Sequence, residues 1–72
     1  MQPNILIQFG QTVRHLRLEQ GISQEELAER CGLHRTYISD VELGKRNVSL
    51  ENIEHIAKAL NIPLASLFEE VK

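Results

Sequence analysis

Apolar residues recur every three to four positions through most of this 72-residue chain, the spacing that places them on one face of an α-helix. The pattern predicts five helices, over about residues 5–20, 24–31, 35–43, 49–60 and 64–70. No segment shows the two-residue alternation that is typical of a β-strand. Because the length allows one domain, we expect a single all-α domain of five helices over residues 1–72.

Local signals support these boundaries. Ser23 and Ser49 are expected N-caps of the second and fourth helices, and Gly32 is expected to end the second helix in a left-handed conformation. Gly10, inside the first helix, costs about 1 kcal/mol relative to alanine. It therefore marks either a site of close packing or a frayed first turn.

The apolar stripes also predict the core. Hydrophobic residues make up 42% of the chain, but aromatic residues only 4%, so leucine, isoleucine and valine must fill most of the interior. The predicted core positions are Ile5, Phe9, Val13, Leu16, Leu27, Ala28, Ile38, Val41, Leu50, Ile53, Ile56, Ala57 and Leu60.

Composition narrows the function classes. A single cysteine excludes an internal disulfide and fits a reducing compartment. Without an apolar run long enough to span a membrane or a signal-type segment, we expect a cytoplasmic protein with no membrane partner. The net charge of −2 is unusual for a nucleic-acid-binding domain. However, the acidic excess lies in the C-terminal third, so a local basic edge elsewhere remains available to phosphate.

Residues 23–46, SQEELAERCGLHRTYISDVELGKR, are typical of two short helices joined by a tight turn, a helix-turn-helix. This segment resembles the lambda-repressor-like (Xre/Cro) family of DNA-binding domains. The likeness extends over about residues 9–68, and the RTYIS stretch at 35–39 resembles the controller proteins of restriction–modification systems. It implies a five-helix lambda-repressor-like fold whose helices 2 and 3, about residues 23–43, form the helix-turn-helix. The residues that carry the resemblance are Gln24, Leu27, Ala28, Gly32, Leu33, Ile38, Ser39, Glu42, Gly44 and Lys45.

The third helix supplies the candidate base contacts. If its apolar positions face the core, its polar positions face outward, and in a helix-turn-helix the start of this helix enters the major groove. Arg35 suits a bidentate contact to guanine, although a solvated surface arginine is the alternative. Asp40 could accept from a cytosine amino group or discriminate against wrong sequences. The candidate base contacts are Arg35, Thr36, Ser39 and Asp40.

Polar residues on either side of this helix are candidate phosphate contacts. Gln24 opens helix 2, where free backbone N–H groups favour an anion, and in the resembling family this glutamine also braces helix 3. Simple solvation of Gln24, packing of Tyr37 and helix capping near Asn52 are the alternatives. The candidate phosphate contacts are Gln24, Tyr37, Lys45, Arg46, Asn47, Ser49 and Asn52.

The resemblance further implies a partly buried ion pair between Arg17 and Glu42 that ties helix 1 to helix 3. Helices 4 and 5, about residues 49–70, are the predicted dimerisation region, since helix 5 is more apolar than one monomer can cover. Alternatively, the first two of its four apolar residues complete the core. The candidate dimer contacts are Leu64, Leu67, Phe68 and Val71.

Catalysis and metal binding have little support in the sequence. Cys31 and His34 have a C-x-x-H spacing, but no second ligand pair accompanies them, and structural zinc needs four ligands. Paired acid and base residues and a phosphate-cradling glycine loop are also lacking. We therefore expect no enzyme activity, metal, cofactor or small-molecule ligand.

Together these features predict a sequence-specific transcription regulator that binds palindromic double-stranded DNA as a homodimer. The resemblance implies control of restriction–modification genes, with activation at low and repression at high concentration, and RNA polymerase as a further partner. The alternatives are an antitoxin-like or adaptor module that binds a protein through helices 4 and 5, and a general phage-type repressor.

Overall fold

The computed structural model describes residues 4–69 and 71. Its described residues contain four α-helices, a short 3-10 helix and no strand, which confirms the all-α prediction. The helices are α1 Ile5–Glu19, α2 Gln24–Cys31, α3 Arg35–Glu42 and α4 Leu50–Leu60, and the 3-10 helix is Leu64–Phe68.

The fifth element differs from the prediction of an α-helix over residues 64–70. It is a five-residue 3-10 helix, in which the Ser66 N–H donates to the Pro63 carbonyl three residues earlier. So short a segment has no α-helical nucleus of its own, and burial of Leu67 determines its position. Glu70, where the predicted helix ends, lies outside the described residues.

Side-chain caps fix the other helix boundaries. The side chains of Asn4, Ser23 and Ser49 each accept a hydrogen bond from the backbone N–H three residues later, at 2.9, 3.0 and 3.1 Å. Gly32 ends α2 and Asn61 ends α4 with positive φ angles of 72° and 57°. The caps expected at Ser23, Ser49 and Gly32 are therefore present, and α2 has the predicted boundaries.

The core lies between the four helices and is closed by the 3-10 helix. Two predicted core residues, Ile5 and Leu50, are instead 56% and 74% exposed. Each is the first residue of its helix, and the first buried residues of these helices are Phe9 and Ile56. The buried apolar residues are Phe9, Val13, Ile22, Leu27, Ala28, Ile38, Val41, Ile56, Ala57, Leu60 and Leu67.

Gly10 marks a close crossing of α1 over the end of α3. A Cβ atom at this position would lie 2.2 Å from the carbonyl oxygen of Val41 and 2.8 Å from that of Glu42. Both obstacles are backbone atoms, which cannot rotate away. Of the two explanations for Gly10, close packing is therefore correct, and the crossing brings Glu42 under α1.

Replacement of Gly10 by alanine tests this crossing. Helix propensity alone would stabilise Gly10→Ala by about 1 kcal/mol, but the steric overlap should reverse the sign and destabilise the fold by about 1–3 kcal/mol. Urea denaturation measures the difference. The control is Gln11→Ala, at an exposed position of the same helix, which should change stability little. A stabilised Gly10→Ala variant would contradict the proposed close contact.

Candidate nucleic-acid interface

The first turn of α3 projects from the domain. Arg35 and Thr36 are exposed, whereas Ile38 and Val41 on the opposite face are buried. Ser39 and Asp40, the other two candidate base contacts, are half-buried. The α3 N-cap is His34, whose side chain makes no capping hydrogen bond. The backbone N–H groups at this end therefore lack the side-chain acceptor that the other three α-helices have.

A buried ion pair lies beneath α3. Arg17 Nε donates to Glu42 Oε2 at 2.6 Å, and Arg17 Nη2 donates to Glu42 Oε1 at 3.0 Å. Arg17 Nη1 also donates to the Ile22 carbonyl at 2.9 Å, and Gln24 Nε2 donates to Glu42 Oε1 at 3.1 Å. The network joins α1, the loop before α2, the start of α2 and the end of α3.

This network fixes orientation more than it adds stability. Removing two charges from water is costly, and the bidentate pairing and added hydrogen bonds offset that cost only when the geometry is kept. The described residues contain no buried side-chain polar atom without a partner. Any rotation of α3 against α1 would leave the Glu42 carboxylate or the Arg17 guanidinium unpaired, so the network sets the angle at which α3 is presented.

Glu42→Gln should therefore be strongly destabilising. It keeps the shape of the side chain but leaves the charge of Arg17 buried without a counter-ion, with an expected loss of about 3–5 kcal/mol. The matched control is Glu54→Gln. The Glu54 carboxylate lies 4.0 Å from Lys58 Nζ on the surface, and its loss should cost about 0.5 kcal/mol or less. Urea denaturation measures the free energy of unfolding of both variants. Equal losses would show that the buried pair is no more important to stability than a surface ion pair.

The candidate phosphate contacts fall into two groups. Lys45, Arg46 and Asn47 are exposed after α3, where their donors are accessible to an anion. Ser49 and Gln24 already have structural partners, since the Ser49 hydroxyl caps α4 and the Gln24 amide braces Glu42. Each keeps hydrogen-bonding capacity beyond that partner.

A second polar network lies beside α3. Asn52 Nδ2 donates to Tyr37 Oη at 3.0 Å, and the Arg46 guanidinium carbon lies over the Tyr37 ring, 5.1 Å from its centroid. Arg46 Nε also lies 3.4 Å from Asp40 Oδ2. Three candidate phosphate contacts and one candidate base contact therefore meet in one cluster.

A surface groove of about 440 Å³ runs along this cluster. It brings Thr36 together with part of the phosphate set, while Gln24, Lys45, Asn47 and Ser49 lie outside its lining. His34 also lines the groove. The sequence predicted it at the cap of the third helix rather than as a metal ligand, but did not place it in a DNA interface. Its position directly before α3 is the signal that could have identified it. The lining residues are Gly32, Leu33, His34, Thr36, Tyr37, Arg46 and Asn52.

Cys31 is a packing residue in this structure. It is half-buried against the core, and its Sγ lies 3.8 Å from the His55 carbonyl oxygen. Burial raises the pKa of the Cys31 thiol to about 11, so the reactive thiolate is scarce at neutral pH. Within residues 4–69 and 71, no group of three or more His, Cys, Asp or Glu side chains could hold a metal ion.

The C-terminal surface differs from the predicted dimer contacts at one position. Leu67 is fully buried within the monomer, because it closes the core, and it cannot contact a second copy. Leu64 is 40% exposed, and Phe68 and Val71 are half-buried, with the Phe68 ring centroid 5.4 Å from that of Phe9. The exposed Leu50 joins Leu64 in lining a surface hollow of about 300 Å³.

In the described part of the chain, no helix is long and apolar enough to cross a membrane.

Known proteins are similar to this chain in sequence and in fold. A helix-turn-helix family model matches residues 13–67. The control protein C.BamHI of Bacillus amyloliquefaciens is 56% identical over 70 residues, which cover 96% of this chain and 86% of that protein. The crystal structure of the restriction-modification controller protein C.AhdI from Aeromonas hydrophila matches with a TM-score of 0.87 and 52% identity, over 88% of this chain and 96% of that one. C.Esp1396I bound to a 25 base pair operator site matches with a TM-score of 0.84 and 35% identity, over 94% of this chain and 90% of that one.

In each of these three comparisons, the match covers most of this chain and most of the other protein. The chain therefore belongs to the helix-turn-helix family of proteins. Within that family it belongs with the controller proteins of restriction–modification systems. The family assignment made from residues 23–46 is thus confirmed, and the family consists of regulators rather than enzymes.

Proposed function

We propose that this protein is a homodimeric transcription regulator that recognises a palindromic operator and controls the genes of a restriction–modification system. The observation that carries this proposal is the exposed first turn of α3, with Arg35 and Thr36 accessible above the buried Arg17–Glu42 pair. A domain of this construction inserts the start of α3 into the major groove. Its partner is then double-stranded DNA in the cytoplasm.

The roles of the individual residues follow from their positions. Arg35 carries a planar pair of donors that matches guanine O6 and N7, and Thr36 offers a methyl group and a hydroxyl to neighbouring bases. Ser39, which is half-buried, contributes at the edge of this surface. Lys45 and Asn47 bind phosphates beyond α3, and these contacts set the register of the protein on the duplex. The remaining proposed phosphate contacts are Gln24, Tyr37, Arg46, Ser49 and Asn52.

Arg35→Ala tests the proposed reading surface. A bidentate arginine–guanine contact is worth about 1–3 kcal/mol, so operator affinity should fall about 5- to 150-fold per contact. Binding to unrelated DNA should change much less, and fluorescence anisotropy measures both. Arg14→Ala is the control, because it removes the same charge from an exposed position on α1. Unchanged operator binding by a folded Arg35→Ala dimer would contradict base reading by Arg35, whereas a folded wild-type dimer that binds no operator would favour an antitoxin-like or adaptor module.

We further propose that Leu50 and Leu64 contribute the apolar part of a two-fold dimer interface, with Phe68 and Val71 at its margin. Leu50 is 74% exposed and Leu64 is 40% exposed, and the two residues line the same hollow. A second copy of the chain would cover this apolar patch. A two-fold axis through such a patch presents two α3 helices to successive major grooves. The operator should then be palindromic.

Leu50→Glu and Leu64→Glu should each weaken dimerisation by about tenfold or more, the equivalent of about 1.4 kcal/mol. Leu50 is so exposed that its replacement should leave the monomer fold intact. Leu18→Glu, at a 51% exposed position on α1, is the control. Sedimentation equilibrium measures the dissociation constants. If all three variants dimerise like the wild type, the interface lies elsewhere.

Dimer binding suits a controller because it makes operator occupancy depend steeply on protein concentration, without any small-molecule ligand. We propose activation at low concentration and repression at high concentration, the former through a contact with RNA polymerase beside the operator. Reporter expression measured against controller concentration would show a rise followed by a fall. Reporter expression that falls at every controller concentration would indicate a simple repressor.

A further inference from the structure

Asp40 and Arg46 are brought together by the turn that ends α3. The chain reverses at Gly44, which has a φ of 75°, and the Lys45 N–H then donates to the Asp40 carbonyl at 2.9 Å. This turn returns the next residue to the side of Asp40, where Arg46 Nε lies 3.4 Å from Asp40 Oδ2. An acidic residue of α3 is thereby paired with a cation that is proposed to bind phosphate.

Arg46 does not depend on this carboxylate for its position. Its guanidinium carbon lies 5.1 Å from the centroid of the Tyr37 ring, and that ring is itself held by the hydrogen bond from Asn52 and by packing on the core. Cation–π contacts of this kind orient an arginine without neutralising it. If the contact to Asp40 breaks, Arg46 therefore keeps its place over Tyr37.

The pair is also weak enough to exchange. Its N···O distance of 3.4 Å exceeds the 2.7–2.9 Å of a strong charge-assisted hydrogen bond. The Arg46 side chain is 50% exposed and that of Asp40 29%, so water screens the attraction. Arg46 is hydrogen-bonded to Asp40 through Nε, and within the described residues its two Nη groups have no hydrogen-bond partner. A phosphate approaching these Nη groups would meet a guanidinium that is already positioned but partly neutralised.

We propose that Asp40 lowers the affinity of this protein for DNA of any sequence, by competing with backbone phosphate for Arg46, and that it does not read a base. This inference rests on the proposed DNA-binding function and concerns how tightly the same site binds. Asp40 thus raises the protein concentration at which the operator fills, leaving base discrimination to Arg35 and its neighbours.

Asp40→Asn tests the proposal, because it keeps the side-chain shape and removes the charge. We expect about 3- to 10-fold tighter binding to the operator and to an unrelated duplex of equal length. The slope of log K against log salt should become steeper by up to about 0.9 for each Arg46 of the dimer, as each gains a full phosphate contact. Base preference in a selection from random DNA should not change. Glu19→Gln, which removes an exposed carboxylate paired with His15 on α1, is the charge-matched control and should have a much smaller effect.

The Arg46→Gln background separates competition from simple repulsion. There, Asp40→Asn should change affinity less than about twofold, measured at salt low enough for both proteins to bind. An undiminished effect in that background would overturn the proposal in favour of general charge repulsion. If the single variant Asp40→Asn binds DNA more weakly than the wild type, the proposal is overturned, because Asp40 would then position Arg46. A base preference altered at one position, whether or not Arg46 is present, would show direct reading by Asp40.

These failures are distinct from failure of the proposed function. A wild-type protein that selects no DNA sequence would contradict the regulator itself. A wild-type protein that binds its operator, while Asp40→Asn binds it equally well, would contradict only the role assigned to Asp40.

Discussion

The buried pair of Arg17 and Glu42 is the interaction on which the orientation of α3 depends. Because the Gly10 crossing carries α1 against the end of α3, the guanidinium and carboxylate meet where water is excluded. Their hydrogen bonds extend to the Ile22 carbonyl and the Gln24 amide. One network thus links the scaffold helix α1 to both helices of the helix-turn-helix, and a small domain obtains a defined orientation from a few polar contacts.

The same principle applies closer to the proposed DNA surface. Asn52 holds the Tyr37 hydroxyl, and the Tyr37 ring supports Arg46. Positioning these groups in the free protein reduces the conformational entropy that binding must remove. Arg35 and Thr36 are left exposed at the tip of α3. The proposed surface therefore combines supported candidate phosphate contacts with freely accessible candidate base contacts, on a chain whose net charge gives little long-range attraction to DNA.

The helix boundaries could be predicted from local sequence more completely than the burial of individual side chains could. The boundaries of α2 were predictable because Ser23 and Gly32 carry their own capping chemistry. Periodicity identified the α4 face but not the exposure of Leu50, which depends on where a neighbouring element begins. Likewise, Leu67 is core rather than interface because tertiary packing decides the fate of a short segment. The Arg17–Glu42 pair was implied by family resemblance, whereas contact between Asp40 and Arg46 depends on the turn at Gly44, which periodicity does not describe.

Whether the protein reads DNA as a dimer through α3 can be measured by selection from a random duplex pool with the purified wild-type protein at defined salt. A dimer should enrich a two-fold symmetric site, with half-sites about one helical turn apart. Enrichment of a single asymmetric half-site would contradict the dimeric arrangement. Failure of folded protein to enrich any sequence, even at low salt where phosphate contacts are strongest, would contradict sequence-specific recognition itself.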